Sequence, residues 1–308
     1  MPEIPDLDVY VEALASRVRG RELTRVRVAN PFLLRTFRPS LDEVAGLTAR
    51  SVRRVAKRIV IELDSEGTTP PTFLVVHLML AGRLHWKAAG AAIPKGRGLA
   101  AFDFTPGSLL LTEAGTKRRA SLHVVRGEEA LAELDPGGLE VQTATPEGFR
   151  AALTRESHTL KRALTDPHIF AGMGNAYSDE ILHRARLSPF KQTSDLSEQE
   201  VEALRTAVLT VLGEWTARLR AEAGERFPEN VTAFRPEMSV HGRFGLPCPV
   251  CGTAVQRIVY AEHELNYCPR CQTGGKLPAD RALSRLLKDG RPKTIDEWER
   301  GRPPRGGH

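Results

Sequence analysis

The chain has 308 residues, with 44 Lys and Arg against 38 Asp and Glu, a formal charge of +6 and a pI near 9.3. This length allows one large or two modest domains, and 41% hydrophobic with 27% charged residues is typical of folded soluble proteins. No run approaches about 18 apolar residues, which excludes a membrane span, and the acidic start argues against a signal peptide. The basic surplus permits nucleic-acid binding without establishing it.

The first half of the chain reads as one helix followed by strands. Apolar residues recur at helical spacing over residues 7–18, and this pattern ends near Gly20. Alternating and β-branched runs then predict strands at 23–28, 59–63, 73–78, 102–104, 108–112 and 120–125. A Ser-x-x-Glu pattern beginning at Ser40 predicts one short intervening helix. We expect a mainly β sandwich or barrel with a long N-terminal helix.

After residues 135–138 the pattern becomes helical. Thr145-Pro146 predicts a helix through Leu153, and Ser197 caps a longer one that ends near Gly224. We therefore predict a β domain over 1–132, a helical domain over 145–236, a cysteine-containing unit over 237–275, and a partly disordered tail over 276–308. Leu283, Leu286 and Leu287 in that tail are spaced to form a helical turn that packs back on the protein.

All four cysteines lie close together, which excludes a disulfide framework spread over the fold. Their spacing is C-x2-C-x16-C-x2-C, formed by Cys248, Cys251, Cys268 and Cys271. This spacing is typical of a zinc ribbon in which four thiolates hold one Zn²⁺. Two redox-active pairs or four free thiols are the alternatives. Four thiolates leave no open position for a substrate water, so we expect a structural ion.

Three further features have an ordinary and a functional interpretation. Pro2 follows the initiator Met, whose removal leaves a secondary amine; this is either a protected chain end or a nucleophile. Lys57 is either a solvated hairpin lysine or a phosphate ligand. The Gly-rich turn at Gly172–Asn175 is either a simple corner between helices or a phosphate-binding helix start.

Taken in this order, these residues resemble the formamidopyrimidine-DNA glycosylase / endonuclease VIII family. The resemblance covers residues 2 to about 275 and rests on Pro2-Glu3, Lys57, residues 160–189, and Gly242-Arg243 leading into the cysteines. It implies an α+β multidomain fold: a β-sandwich catalytic domain with its long N-terminal helix, a helix–two-turns–helix domain and a zinc-ribbon finger, with DNA crossing the cleft between the domains. It also implies a base-excision repair enzyme that flips a damaged nucleotide out of duplex DNA.

The resemblance implies a role for each matching residue. The Pro2 amine would attack C1′ and form a Schiff base, Glu3 would exchange protons, and Lys57 would hold the phosphate beside the lesion. Asp6 would complete the catalytic set. On the DNA side, the predicted contacts are Leu80 as the wedge, Arg118 and Arg119 facing the partner base, and Lys161, Asn175, Arg243 and His263 on the backbone.

Four positions depart from the family pattern. Asp6 stands where Glu is usual, Ala120 replaces a wedging Phe, His263 replaces a phosphate-binding Arg, and His241 replaces a Tyr. These differences concern lesion recognition, whereas Pro2, Glu3 and Lys57 are intact. We interpret the chain as a divergent member that retains the amine chemistry with altered substrate choice.

We therefore expect a monomeric glycosylase and β/δ-elimination lyase that acts on duplex DNA with damaged bases or abasic sites. It would contain one structural zinc and work in the cytoplasm, associated with the nucleoid through DNA. Three alternatives remain open: a lyase of abasic sites only, a non-catalytic binder of damaged DNA, and a zinc-ribbon nucleic-acid-binding protein with an unrelated terminus.

Overall fold

A computed structural model describes residues 1–64, 70–115, 117–229, 231–232, 234–260, 263–277 and 292–300. The chain divides into two compact units. Unit 1 comprises Met1–Glu140, Ala171–Met173 and Leu212–Ala233, and unit 2 comprises Val141–Phe170, Gly174–Val211 and Phe234–His308. The predicted boundaries at 132, 145, 236 and 275 remain a prediction, since these units interleave along the chain.

Unit 1 contains one antiparallel sheet, a long first helix, a short second one and the end of a further long helix whose first part belongs to unit 2. The sheet order is β5-β7-β6-β1-β2-β3-β4-β8. The elements are α1 (Ile4–Val18), β1 (Glu22–Val28), β2 (Leu47–Val55), β3 (Arg58–Asp64), β4 (Thr72–His77), β5 (Gly82–Lys87), β6 (Gly98–Phe104), β7 (Gly107–Glu113), β8 (Ser121–Arg126) and α2 (Glu128–Ala132).

One apolar core collects side chains from all eight strands and from α1. Leu23 of β1, Leu84 of β5 and Leu122 of β8 are fully buried in it, together with Tyr10 and Leu14 of α1. Because the two ends of the sheet share this core, the sheet folds over on itself as a sandwich. The prediction of a β sandwich with a long N-terminal helix is therefore confirmed.

Sequence patterns missed two strands, β2 and β5. In β2 the arginines at 50, 53 and 54 obscure the alternation, and in β5 His85 and Lys87 do the same. The short helix predicted after Ser40 is a single 3-10 turn at Asp42–Val44. The Ser40 backbone N–H donates to the Glu43 carboxylate at 2.8 Å, so half of the predicted capping arrangement is present.

Unit 2 contains the remaining helices and a small hairpin. They are α3 (Pro146–Thr154), α4 (Leu160–Thr165), α5 (Asn175–Arg184), β9 (Gln256–Tyr260), β10 (His263–Tyr267), α7 (Pro269–Thr273) and α8 (Ile295–Arg300), and the long helix α6 (Glu198–Ala223) continues into unit 1. Thr145 caps α3 by accepting from the Gly148 N–H, as its sequence predicts. Among the described residues, no helix is both long and apolar enough to cross a membrane.

The tail has an ordered portion. Leu277 N–H donates to the Lys293 carbonyl at 2.8 Å, and Ile295 N–H donates to the Gly275 carbonyl at 2.8 Å. Ile295 is buried at the start of α8. Residues 278–291, which contain the predicted turn at Leu283, Leu286 and Leu287, and residues 301–308 lie outside the described part of the chain.

A segment distant in sequence fixes the start of α1. The Gly172 carbonyl accepts the Ile4 N–H at 3.2 Å. Gly172 has a φ of +76°, and a Cβ there would lie 2.6 Å from Ile4 Cγ1 and 2.8 Å from Arg54 Nη1. The guanidinium of Arg54 is itself bound to Asp8 at 2.9 Å and Glu140 at 2.7 Å. Only glycine fits between these groups.

Substituting Gly172→Ala should therefore destabilise the protein by about 3 kcal/mol, because it combines an unfavourable positive φ with overpacking. Gly46→Ala is the matched control, since Gly46 has a φ of +85° with open space around it. Its cost should be only about 1 kcal/mol. Urea unfolding measures both values, and equal costs would show that the contacts around Gly172 do not constrain the helix start.

Candidate functional site

The predicted catalytic acids form the N-terminal cap of α1. The Glu3 backbone N–H donates to Asp6 Oδ2 at 3.1 Å, and the Glu3 side chain accepts from the Asp6 backbone, which is a capping box. Both carboxylates are 3% exposed. Asp6, predicted as a shortened substitute for Glu, therefore still reaches the backbone of Glu3 and fixes its position.

The amino group of the chain lies among charged side chains. Burial lowers the pKa of the Met1 amino group, Arg83 and Lys57 lower it further, and Glu3 and Asp6 act in the opposite direction. The structure thus brings Glu3, Asp6 and Lys57 together around the chain start, with Pro2 buried beside them. Arg83 was missed from the sequence, because a single arginine in an unrecognised strand gives no signal.

Lys57 lies in the tight turn that joins β2 to β3. The turn follows Val55, whose register partner is Arg58, so only Ala56 and Lys57 lie between the paired residues. Ala56 has a φ of 48°, which is uncommon for a residue with a Cβ. Its carbonyl accepts from Arg54 Nη1 at 3.1 Å. The half-buried Lys57 is therefore held on a short, fixed connection rather than on a loose loop.

The predicted wedge residue is exposed on another tight turn. Leu80 is 51% exposed, whereas Leu78 is 1% exposed. Gly82 N–H donates to the Leu78 carbonyl at 2.9 Å, and a Cβ on Gly82 would lie 2.2 Å from that oxygen. A single large apolar side chain is thus presented to solvent, as a wedge between bases requires.

A buried acid organises the predicted partner-base loop. The Glu113 carboxylate is 2% exposed and accepts the backbone N–H groups of Arg119 at 3.0 Å and Ala120 at 3.1 Å. Arg118 donates to the Gly96 carbonyl. Ala120 is 3% exposed, so this residue is part of the core and offers no wedge. Glu113 was not identified from the sequence, where it follows a buried strand like any solvated acid.

In unit 2, Lys161 lies in α4, and its side chain reaches the first turn of α5. Its ammonium donates to the Asn175 carbonyl at 2.7 Å, to Ser178 Oγ at 2.7 Å and to Asp179 Oδ1 at 2.5 Å. The Asn175 side chain donates to the Glu264 carbonyl at 2.6 Å. All three ammonium protons of Lys161 have acceptors in the protein, so its observed contacts orient the start of α5.

Two adjacent buried acids on α5 hold the loop before the cysteines. Asp179 Oδ2 accepts from His241 Nδ1 at 2.8 Å and from the Asn266 N–H at 3.1 Å. Glu180 accepts three consecutive backbone N–H groups, from Ser239 at 2.7 Å and from the next two residues at 2.9 Å. Neither acid was singled out in the sequence. His241, the substitute for Tyr, supplies a ring nitrogen to Asp179.

Arg243 binds backbone carbonyls on both sides of its own loop. Its Nη1 donates to the Pro236 carbonyl at 2.9 Å and its Nη2 to the Pro247 carbonyl at 3.4 Å. His263 begins β10, where its backbone pairs with Tyr260. The side chain of His263 lies outside the described part of the structure.

The four cysteines form one cluster. Their Sγ atoms all lie within 4.8 Å of one another, with 3.9 Å between Cys248 and Cys271 and 3.4 Å between Cys251 and Cys268. Tetrahedral zinc with Zn–S bonds of about 2.3 Å requires sulfurs roughly 3.8 Å apart, so this donor set fits Zn²⁺. Burial raises the pKa of Cys271 to about 11, and metal binding must therefore displace its proton.

The cluster also receives a donor from outside the hairpin. His183 on α5 places Nε2 3.2 Å from Cys248 Sγ, and both residues are buried. Burial lowers the pKa of His183 to about 4, so its imidazole is neutral at physiological pH. His183 was missed because nothing in its helical context distinguishes it from a core residue.

Three family models match the chain in order. They are the formamidopyrimidine-DNA glycosylase N-terminal domain over residues 1–121, the formamidopyrimidine-DNA glycosylase H2TH domain over 135–220, and a zinc finger found in FPG and IleRS over 245–274. These models cover the N-terminal cap of α1, the α5 region and the cysteine cluster described above.

Relatives and solved structures agree with these matches. The formamidopyrimidine-DNA glycosylase of Geobacillus kaustophilus is 30% identical over 285 residues, covering 88% of this chain and 100% of the relative. An uncharacterised formamidopyrimidine-DNA glycosylase-like protein of Mycobacterium tuberculosis is 43% identical over 155 residues, covering 50% of this chain and 94% of that protein. A Lactococcus lactis Fpg bound to abasic-site DNA has the same fold, with a TM-score of 0.76 at 22% identity, covering 88% and 99% of the two chains. The chain therefore belongs to the formamidopyrimidine-DNA glycosylase family of zinc-finger DNA-repair enzymes.

Proposed function

We propose that this family member excises damaged bases from duplex DNA and cleaves the resulting abasic site, with the amine of Pro2 as nucleophile once Met1 is removed. The observation that carries the proposal is that Pro2 is buried next to a terminal amino group, here that of Met1, whose pKa is lowered by burial and influenced by Glu3, Arg83, Asp6 and Lys57. Surroundings that depress an amine pKa increase the unprotonated, nucleophilic fraction at neutral pH.

The proposed steps follow from amine chemistry. The Pro2 nitrogen forms a bond to C1′ of the flipped nucleotide while the damaged base leaves with its bonding electrons and takes a proton. Opening of the sugar ring gives an iminium ion, and Glu3 exchanges protons with the ring oxygen. The iminium withdraws electrons, so a proton leaves C2′ and the 3′ phosphate is expelled. A second elimination would release the 5′ phosphate, and hydrolysis then regenerates the amine.

We assign the DNA contacts to both units. In unit 1, Lys57 would hold the phosphate beside the lesion, Leu80 would fill the space left by the flipped base, and Arg118 and Arg119 would face the partner base. In unit 2, Asn175 and Arg243 would contact the DNA backbone. Lys161 would either contact it directly or position the start of α5 for that contact. His263 in the finger hairpin would add a further contact.

Damaged duplex DNA is the proposed partner. Solved relatives from Lactococcus lactis are complexes with abasic-site DNA and with DNA containing an oxidised pyrimidine. We propose the same class of substrate here, bound by a monomer in the cytoplasm and thereby associated with the nucleoid.

A second candidate function is abasic-site lyase activity without base excision. The observation that favours it is the burial of Ala120, which removes one of the usual side chains that respond to a distorted base stack. Such an enzyme would keep Pro2, Glu3 and Lys57 and act only after another glycosylase had removed the base. A binder without chemistry remains the third candidate.

We also propose that one structural Zn²⁺ occupies the cysteine cluster. Cys248, Cys251, Cys268 and Cys271 would hold it, and its contribution is to fold the hairpin that carries His263. The support for this proposal is the spacing of the four sulfurs, which matches tetrahedral zinc. Four thiolates leave no coordination position for substrate, so the ion takes no part in the chemistry.

Borohydride trapping tests the proposed activity. The purified protein is incubated with duplexes carrying 8-oxoguanine, a formamidopyrimidine, an oxidised pyrimidine or an abasic site, because borohydride reduces the iminium to a stable adduct. Adducts on a base lesion are the expected result, and adducts on the abasic duplex alone would select the lyase-only candidate.

The control variants address the nucleophile. Pro2→Gly and a form that retains Met1 should each reduce trapping by at least about 100-fold, given the sensitivity of nucleophilic catalysis to placement of the reacting group. Glu3→Gln should reduce base excision by a similar factor through loss of proton exchange. If wild-type protein binds these duplexes but forms no adduct, the catalytic proposal is wrong.

The contact between His183 and Cys248 predicts an effect on zinc retention. His183→Phe keeps a ring but removes the N–H donor to the thiolate, and we expect zinc transfer to a chelating dye to become roughly 10-fold faster. His158→Phe is the control, since His158 lies in the same unit and contacts Glu156 instead. An unchanged transfer rate in His183→Phe would show that the 3.2 Å contact does not stabilise the metal site.

A further inference from the structure

A row of basic side chains crosses one face of the unit 1 sheet beside Lys57. Arg58 on β3 is directly opposite His77 on β4, and His77 is opposite Ser121 on β8. His123 follows two residues after Ser121. Opposite residues in paired strands and alternate residues in one strand share a face, so the three basic side chains lie on the same face across roughly 10 Å.

These side chains have nitrogens with no partner. Arg58 Nε, His77 Nε2 and His123 Nδ1 are each buried and make no hydrogen bond within the described part of the chain. Three such groups on adjacent strands are unusual, because buried polar atoms in folded proteins are nearly always hydrogen-bonded. Each of the three side chains therefore has one nitrogen without a hydrogen-bond partner among the described residues.

Other arginines in the same sheet are paired with acids. Arg27 binds Asp103 at 2.7 Å, and Arg53 binds Glu128 at 2.9 Å. Arg58 has no such ion pair among the described residues, and its nearest electrostatic compensation is Asp135, which raises its pKa against the effect of burial. The charge of Arg58 is thus compensated only at longer range, by Asp135, and not by a salt bridge within the described part of the chain.

Burial is the main influence on the pKa values of the two histidines, and the neighbouring cations add to its effect. Burial, with help from Arg58, Lys57 and His123, lowers the pKa of His77 to about 4. Burial and the charges of Arg58 and Arg35 also lower the pKa of His123. A neutral imidazole can still donate an N–H to an anion, and the neighbouring turn carries the proposed phosphate ligand Lys57.

We propose that Arg58 and His123, with the exposed Arg35 beside them, bind a second backbone phosphate next to the one assigned to Lys57. This inference rests on the proposed function, since the phosphate is that of the DNA substrate. It extends the DNA contact of unit 1 from a single lysine to a row of basic groups, which would fix the direction of the damaged strand.

The salt dependence of DNA binding tests this proposal. Dissociation constants are measured between about 50 and 200 mM KCl for a duplex with a tetrahydrofuran abasic analogue, since each phosphate contact contributes roughly 0.9 to the slope of log K against log salt. Arg58→Gln should weaken binding roughly 10-fold at low salt and reduce the slope by about one. His123→Asn should weaken binding in the same direction.

Two further variants serve as controls for the loss of charge at Arg58. Arg58→Lys keeps the charge and should keep the slope. Arg50→Gln removes an arginine of β2 that is paired with Asp64 of β3, and it should change neither the dissociation constant nor the slope. A wild-type slope in a folded Arg58→Gln protein would overturn the second contact. The second contact would also be overturned if inorganic phosphate raised the melting temperature of the wild-type protein but not of Arg58→Gln, while the salt dependence of DNA binding was the same for both proteins. Failure of the wild-type protein to bind or trap any duplex would instead overturn the proposed function itself.

Discussion

The proposed reactive group of this protein is the end of its own chain, and the proposal requires that end to be held in a fixed position. Chain termini normally fray, because their first residues lack the contacts of an interior segment. Here the Ile4 N–H is bound by the Gly172 carbonyl, and the capping box of Glu3 and Asp6 satisfies the next backbone groups. Arg54, clamped between Asp8 and Glu140, closes the remaining space. The short segment Ala171–Met173 thus belongs to the same compact unit as the N-terminus.

Elsewhere in the molecule, buried carboxylates hold loops in place by accepting hydrogen bonds from them. Glu113 orders the loop of Arg118 and Arg119, and Asp179 and Glu180 order the loop that carries Arg243. Each acid is less than 6% exposed and accepts two or more hydrogen bonds. Since removing one partner from such an arrangement leaves a buried group unsatisfied, these loops are more rigid than their sequences suggest. The loops that carry the proposed DNA contacts Arg118, Arg119 and Arg243 are therefore positioned by buried acids.

Local patterns in the sequence predicted much of this structure. The α1 pattern, the Thr145 cap, the alternation in most strands and the cysteine spacing each depend on residues close together in the chain. The contributions of Arg83, Asp179 and His183 depend on groups far away in sequence, and that of Glu113 depends on the fold of the loop that follows it. Without these partners, a single charged residue is predicted to be solvated and a single histidine to be part of the core. Strand β2 was missed because its arginines, whose acidic partners lie on other elements, obscure the alternation of apolar and polar residues. The amino-acid composition of the tail also gave no indication of the hydrogen bond between Leu277 and Lys293.

The central claim is that the Pro2 nitrogen bonds to C1′. Mass spectrometry of peptides from the borohydride-reduced protein–DNA adduct identifies the modified atom directly. The account predicts a peptide that begins at Pro2, lacks Met1 and carries the reduced sugar remnant on its α-nitrogen. A remnant on Lys57 or on any other lysine, with Met1 still in place, would contradict it.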